Sequence, residues 1–247
     1  MEKLSKDKLI IALDVNSRAE AMSLLKELAG MSGFFKVGME LFYSEGAGIV
    51  REIAATGAGV FLDLKLHDIP NTVGRAARVL VRSGASIINV HAAGGGAMMR
   101  AAGEAAREEA GRLGLPAPAV VAVTVLTSID RDSFNREMGY TGAIEDRVRS
   151  WALLARESGL DGVVCSPREI EMVRMACGPD FQIITPGIRP AGSDLNDQRR
   201  VMTPGGAIKA GASRIVVGRP ITAAPDRRAA AAAILAELSA SSCHCEE

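Results

Sequence analysis

Aromatic residues make up only 4% of this 247-residue chain, too few for the rows of stacking platforms that single-stranded nucleic-acid binders use. An excess of charge is missing too. Lys plus Arg and Asp plus Glu each count 29, so nothing draws the surface toward nucleic acid or an anionic membrane. No apolar run approaches the ~20 residues of a membrane-spanning helix, and Met1 to Lys8 is too charged for a signal peptide. The expectation is a cytoplasmic protein.

The four cysteines, Cys165, Cys177, Cys243 and Cys245, form no C-x-x-C pair. In a cytosolic chain of this size Cys165 and Cys177 read as reduced packing residues. Cys243-His244-Cys245 lacks the ligand number and spacing of a zinc site. With the serines just before it, it reads as a disordered tail over 239–247. No Gly-x-Gly-x-x-Gly follows the first strand-like run, where Asp14-Val15-Asn16-Ser17 stands instead, so the dinucleotide fingerprint is absent. Gly94-Gly95-Gly96 lacks the lysine of a nucleotide-binding P-loop.

What is present is a regular alternation. Short apolar runs at 9–14, 34–37, 60–65, 86–91, 120–125, 162–165, 182–185 and 214–217 are separated by amphipathic stretches, with helices expected at 18–29 and 41–56. Runs this short and this apolar fit parallel strands buried on both faces. Eight such units in 247 residues predict a single-domain (β/α)8 barrel over 1–238 in preference to an open doubly wound sheet. Chemistry in such barrels sits at the C-terminal ends of the strands. Asp14, Lys36, Asp63, Lys65, His91, Thr127 and Arg219 all fall at or just past those ends.

The densest of these ends is Asp63-Leu64-Lys65-Leu66-His67-Asp68-Ile69-Pro70. Alternation along a strand sends Asp63 and Lys65 to one side and Leu62 and Leu64 to the other. Asp68 lies just beyond, and Pro70 fits the first turn of a helix. Neighbouring carboxylates favour the ammonium form of a lysine, which suits proton donation better than Schiff-base chemistry. Lys36, alone among Phe34, Phe35 and Val37, is a second cation for the same cluster. The bland alternatives are a solvated ion pair at a strand end and a snorkelling lysine.

A second group suits phosphate. Thr185-Pro186-Gly187-Ile188-Arg189 follows the seventh run and Gly218-Arg219-Pro220-Ile221 the eighth. The loops after strands seven and eight are where this architecture most often holds phosphate, and a guanidinium fork matches its geometry. The polar stretch from Ala191 to Thr203, containing Gln198, is the candidate lid. Ordinary surface salt bridging is the alternative for Arg189 and Arg219.

On these residues the chain resembles the orotidine 5′-phosphate decarboxylase family. The resemblance runs from Ile11-Ala12-Leu13-Asp14 to Val216-Val217-Gly218-Arg219-Pro220-Ile221 and is most specific at Asp63 to Thr72, D-L-K-L-H-D-I-P-N-T. Phe35-Lys36-Val37-Gly38, Val125-Leu126-Thr127-Ser128, Pro186-Gly187-Ile188-Arg189 and Asp197-Gln198-Arg199-Arg200 match as well. It implies decarboxylation of orotidine 5′-monophosphate to UMP, with no metal or organic cofactor, by a homodimer. Lys36, Asp63, Lys65 and Asp68 would be the catalytic charged network, with Lys65 protonating C6. Asp14 and Lys36 would hold ribose hydroxyls, joined by Asp68 and Thr72 from the partner subunit. Thr127 would lie near the pyrimidine, and Arg189, Gln198, Gly218 and Arg219 would bind the 5′-phosphate.

Two other readings compete. A magnesium-dependent sugar-phosphate enzyme on the same scaffold would need an acidic residue where Lys36 stands, and an ammonium repels Mg2+. A non-catalytic sensor of phosphate ligands gains little from the packed charges of Asp63, Lys65 and Asp68.

Overall fold

The computed structural model describes residues 2–190 and 202–242. Eight parallel strands close into a barrel in sequence order: β1 (Leu9–Leu13), β2 (Phe34–Gly38), β3 (Gly59–Leu66), β4 (Ile87–His91), β5 (Ala119–Val123), β6 (Gly162–Val164), β7 (Gln182–Thr185) and β8 (Arg214–Val217). β1 pairs with β2 through Ile10 opposite Phe34 and with β8 through Ile10 opposite Val216, which closes the ring. The expected (β/α)8 barrel is the fold observed.

Helices surround it: α1 (Glu2–Lys8), α2 (Arg18–Glu27), α3 (Met39–Glu45), α4 (Ala47–Ala55), α5 (Pro70–Arg82), α6 (Gly95–Leu113), α7 (Ile144–Glu157), α8 (Ile170–Cys177), α9 (Pro204–Lys209), α10 (Arg219–Thr222) and α11 (Arg227–Ser242). α5 shows how the sequence builds one. Pro70 occupies its first turn, where a missing N–H is harmless. Val73, Ala77, Leu80 and Val81 then recur three or four positions apart and are buried.

Strand alternation divides the apolar residues into two sets. Leu9, Ile11, Leu13, Val60, Leu62, Ile88 and Val90 belong to the large core between strands and helices. Ile10, Ala12, Phe61, Ile87, Val121, Ile184 and Val216 form a separate plug inside the barrel, as expected of a barrel that is packed rather than hollow. Truncating Phe61, fully buried in that plug, would cost ~3–5 kcal/mol. Further along the same inward rows the plug gives way to Lys36, Asp63 and Lys65. The floor of the site is therefore rigid.

Two expectations about helices need correction. The single helix expected over 41–56 is two, α3 and α4, broken at Gly46, whose φ of 66° is left-handed and favours glycine. The boundary expected at 238 falls inside α11, which runs on to Ser242. The Ser239 hydroxyl lies 2.9 Å from that of Ser5, and Ser241 is buried, so 239–242 belong to the barrel's outer layer. Cys243-His244-Cys245 lies outside the described residues.

Candidate active site

β3 supplies the centre of the site through an irregularity in its pairing with β4. Leu62 is opposite Ile88, but the next paired residue, Leu66, is opposite Val90. Residues 63 to 65 thus bulge against the single residue Asn89, a distortion that re-aims side chains at barrel rims. Lys65 sits at φ 53°, the one positive φ among the described non-glycine residues. Such a conformation costs a residue with a side chain ~1–2 kcal/mol.

The charges alternate across three strands. Lys65 Nζ donates to Asp63 Oδ1 at 2.7 Å. Lys36 Nζ, on β2, stands 3.6 Å from Asp63 Oδ2 and donates to Asp14 Oδ1 at 2.8 Å. Asp14 is the outermost member, with 60% of its side chain exposed against 12% for Lys36 and 15% for Asp63. Burial alone would push the Asp63 carboxyl up. The Lys36 and Lys65 ammoniums, helped by hydrogen bonds from Lys65 and Asn89, override it and hold Asp63 below its ordinary value. The pairs that Asp63 makes are therefore not the loosely solvated pairs of a strand end.

Lys36, Asp63 and Lys65 form one wall of a cleft of about 300 Å³. Val123, Val164, Val216 and Phe61 line it on the apolar side, with Thr127 and Ser128 at its rim. The cleft places an ammonium beside an apolar surface, where charge is screened less than in open water. His91, at the end of β4, stacks on His67 with ring centroids 5.3 Å apart. Burial, then the charges of His67 and Lys65, push its pKa down.

The second group gathers at the ends of β7 and β8. Arg189 is only 7% exposed, and its Nε has no hydrogen-bond partner among the described residues. Burial, then the like charge of Arg219, lowers its pKa. Gly218 precedes Arg219, and a Cβ there would stand 3.4 Å from Asp14 Oδ2. The two groups therefore meet across β1 and β8.

Other expected residues are not gathered within one chain. Asp68 is exposed, makes no ion pair among the described residues, and its Oδ1 accepts from the Ile69 N–H at 2.6 Å. Thr72 is exposed on the first turn of α5. Gln198 and most of the expected lid lie outside the described residues. Sequence reasoning also missed a participant, Asn89, which is 1% exposed and bonded to both Asp63 and Lys65. The available signal was a lone amide in Ile87-Ile88-Asn89-Val90 with the same inward parity as His91.

The family model described as "Orotidine 5′-phosphate decarboxylase / HUMPS family" matches residues 7–234. The chain belongs to that family. It is 58% identical over 234 residues to the orotidine 5′-phosphate decarboxylase of Moorella thermoacetica, covering 95% of this chain and 93% of that protein. It is 53% identical to the orotidine 5′-phosphate decarboxylase of Syntrophomonas wolfei, covering 95% and 98%. The crystal structure of orotidine 5′-phosphate decarboxylase from Lactobacillus acidophilus superposes with a TM-score of 0.83 at 40% identity, covering 94% of this chain and 99% of that one.

Proposed function

We propose that this chain decarboxylates orotidine 5′-monophosphate to UMP and carbon dioxide, in de novo pyrimidine biosynthesis in the cytoplasm, without a cofactor. The observation that carries the reading is the Lys65 ammonium, 2.7 Å from Asp63 and lining a cleft with an apolar wall, in a chain 58% identical to a decarboxylase of that name.

The C6–carboxylate bond breaks and its electron pair stays on C6. That carbanion is poorly delocalised, and cofactors that stabilise carbanions do so by acting as electron sinks. The Lys65 ammonium stabilises the pair as it forms and then gives C6 its proton, leaving a neutral amine that solvent reprotonates. Asp63 keeps Lys65 in place beside the departing carboxylate. Asp14 and Lys36 hold ribose hydroxyls, and Thr127 lies at the pyrimidine end of the cleft. Arg189, Arg219, Gly218 and Gln198 take the 5′-phosphate, whose binding energy, remote from C6, is available for orientation and closure.

The working unit in this reading is a homodimer, with Asp68 and Thr72 reaching the partner's ribose. Its support is that both are exposed and that Tyr43, in α3 after β2, and Ile69, the residue before α5, are 72% and 65% exposed despite their apolar surface. The family description also spans HUMPS enzymes. The ammonium of Lys36, 2.8 Å from Asp14, disfavours a divalent cation at that end of the site.

Purified protein, assayed with orotidine 5′-monophosphate and EDTA beside a Lys65→Ala control, tests the proposal by loss of orotate absorbance. Turnover by the wild type alone is the expected result. Turnover only after Mg2+ is added with a sugar-phosphate substrate overturns it.

A further inference from the structure

Asn89 uses both ends of its amide on β3. Its Oδ1 accepts from the backbone N–H of Lys65 at 2.7 Å, and its Nδ2 donates to Asp63 Oδ1 at 2.7 Å. The orientation of the amide is fixed by its partners, since a backbone N–H can only donate and an ionised carboxylate can only accept. Asp63 Oδ1 is also the oxygen that receives Lys65 Nζ. One buried side chain therefore grips the main chain of Lys65 and the carboxylate that holds its ammonium.

The bulge explains why this grip is needed. With residues 63 to 65 opposite residue 89 alone, the Lys65 N–H turns to a side chain for its partner, and the residue carries a left-handed φ. A conformation of that kind persists only when its surroundings over-determine it. An apolar residue at position 89 would pack in the strand equally well. It would leave the Lys65 N–H unpaired and remove a donor from Asp63, each a cost in a dry interior.

We propose that Asn89 is a positioning residue for the decarboxylation, holding the Lys65 backbone and the Asp63 carboxylate in the one arrangement that aims the ammonium into the cleft. The inference rests on the reading of Lys65 as proton donor. Misplacing a reacting group by about an ångström costs on the order of 10²-fold in rate, which sets the size of effect to look for.

The charged and titratable groups around Asp63 are Lys36 on β2, itself paired to Asp14 after β1, Lys65 on β3 and His91 on β4, stacked on His67. Asn89→Asp keeps the size of the side chain and the acceptor for the Lys65 N–H but sets a second carboxylate against Asp63 Oδ1. Two carboxylates sharing a site cannot both ionise easily, so one of the pair titrates higher. Asn89→Ala removes both bonds without adding charge.

The experiment measures kcat, KM and their pH dependence for wild type, Asn89→Asp and Asn89→Ala, with active-site titration to correct for misfolded protein. A 13C-carboxyl NMR titration of Asp63, assigned with Asp63→Asn, is run on the substrate-free proteins. Positioning predicts a fall in kcat of about 10²-fold in both variants with KM within about threefold. It also predicts that the acidic limb of kcat and the Asp63 midpoint move up by about a unit or more in Asn89→Asp. Unchanged kcat, or a loss matched by the fraction of misfolded protein with the acidic limb unmoved, overturns it. A moved Asp63 midpoint with full kcat overturns it as well. Failure of the wild type to turn over orotidine 5′-monophosphate would instead remove the function it rests on, while the NMR titration would still report whether Asn89 governs Asp63.

Discussion

A Cβ built on Gly38 would stand 3.2 Å from Lys36 Nζ and 3.6 Å from Asp14 Oδ1. The glycine is not there for its backbone, which is extended with φ −86° and open to any residue. It is there to leave room for the lysine's head. Gly38→Ala should therefore leave thermal stability within about 0.5 kcal/mol, because Nζ sits on a flexible stem that can shift. A shift of a few tenths of an ångström strains the 2.8 Å bond to Asp14. We expect kcat/KM for orotidine 5′-monophosphate to fall about tenfold, ~1.4 kcal/mol, mostly through KM. Steady-state kinetics beside a melting curve check both halves.

The phosphate role proposed for Arg219 is tested by removing its guanidinium. Arg219→Ala should lower kcat/KM by at least ~10²-fold, since a charge-assisted bond to phosphate supplies orientation as well as affinity. Unchanged kcat/KM rules out the phosphate role. Inorganic phosphate should inhibit the wild type competitively and the variant far more weakly.

Subunit exchange decides whether Asp68 serves its neighbour. Lys65→Ala and Asp68→Asn should each be nearly inactive alone. In a mixed dimer one site carries both lesions and the other carries neither. Refolding the two together should restore about a quarter of wild-type activity, the share of native sites in a random isologous dimer. No recovery, with mixed dimers demonstrated by mass, would place Asp68 outside a shared site.

The left-handed backbone at Lys65 predicts an ordering of stabilities. Lys65→Gly and Lys65→Ala both remove the ammonium and should both be inactive. Glycine relieves the φ of 53° and alanine does not, so the glycine variant should be the more stable by ~1 kcal/mol in urea denaturation. Equal stabilities would mean that the variants relax at position 65 to a different conformation.

The barrel was legible because its strands are short and apolar on both faces and their spacing leaves room for one helix each. The ends were less so. Strand five was expected to reach Val125 but stops at Val123, because a parallel strand ends where its neighbours do and that depends on register. Gly46 does not announce the break, since a lone glycine does not interrupt an apolar period until its φ is known. Lys36, Asp63 and Lys65 were legible as charges where none should be buried. Asn89 was not, although it is as buried as its neighbours, because nothing local signals that three residues of β3 will face it. That information lies in a pairing between distant segments.

Closure of β1 on β8 has a consequence for how the chain is made. Asp14, Lys36, Asp63 and Lys65 leave the ribosome early, yet β1 has β8 as one of its two neighbours, and β8 is synthesised about 150 residues after Lys65. At the pace of translation that interval is on the order of ten seconds. Throughout it, the β8-facing side of β1 is an open edge of apolar strand. Asp14, just past the end of β1, puts a charge beside that edge, of the kind that keeps an unfinished edge from pairing with another nascent chain.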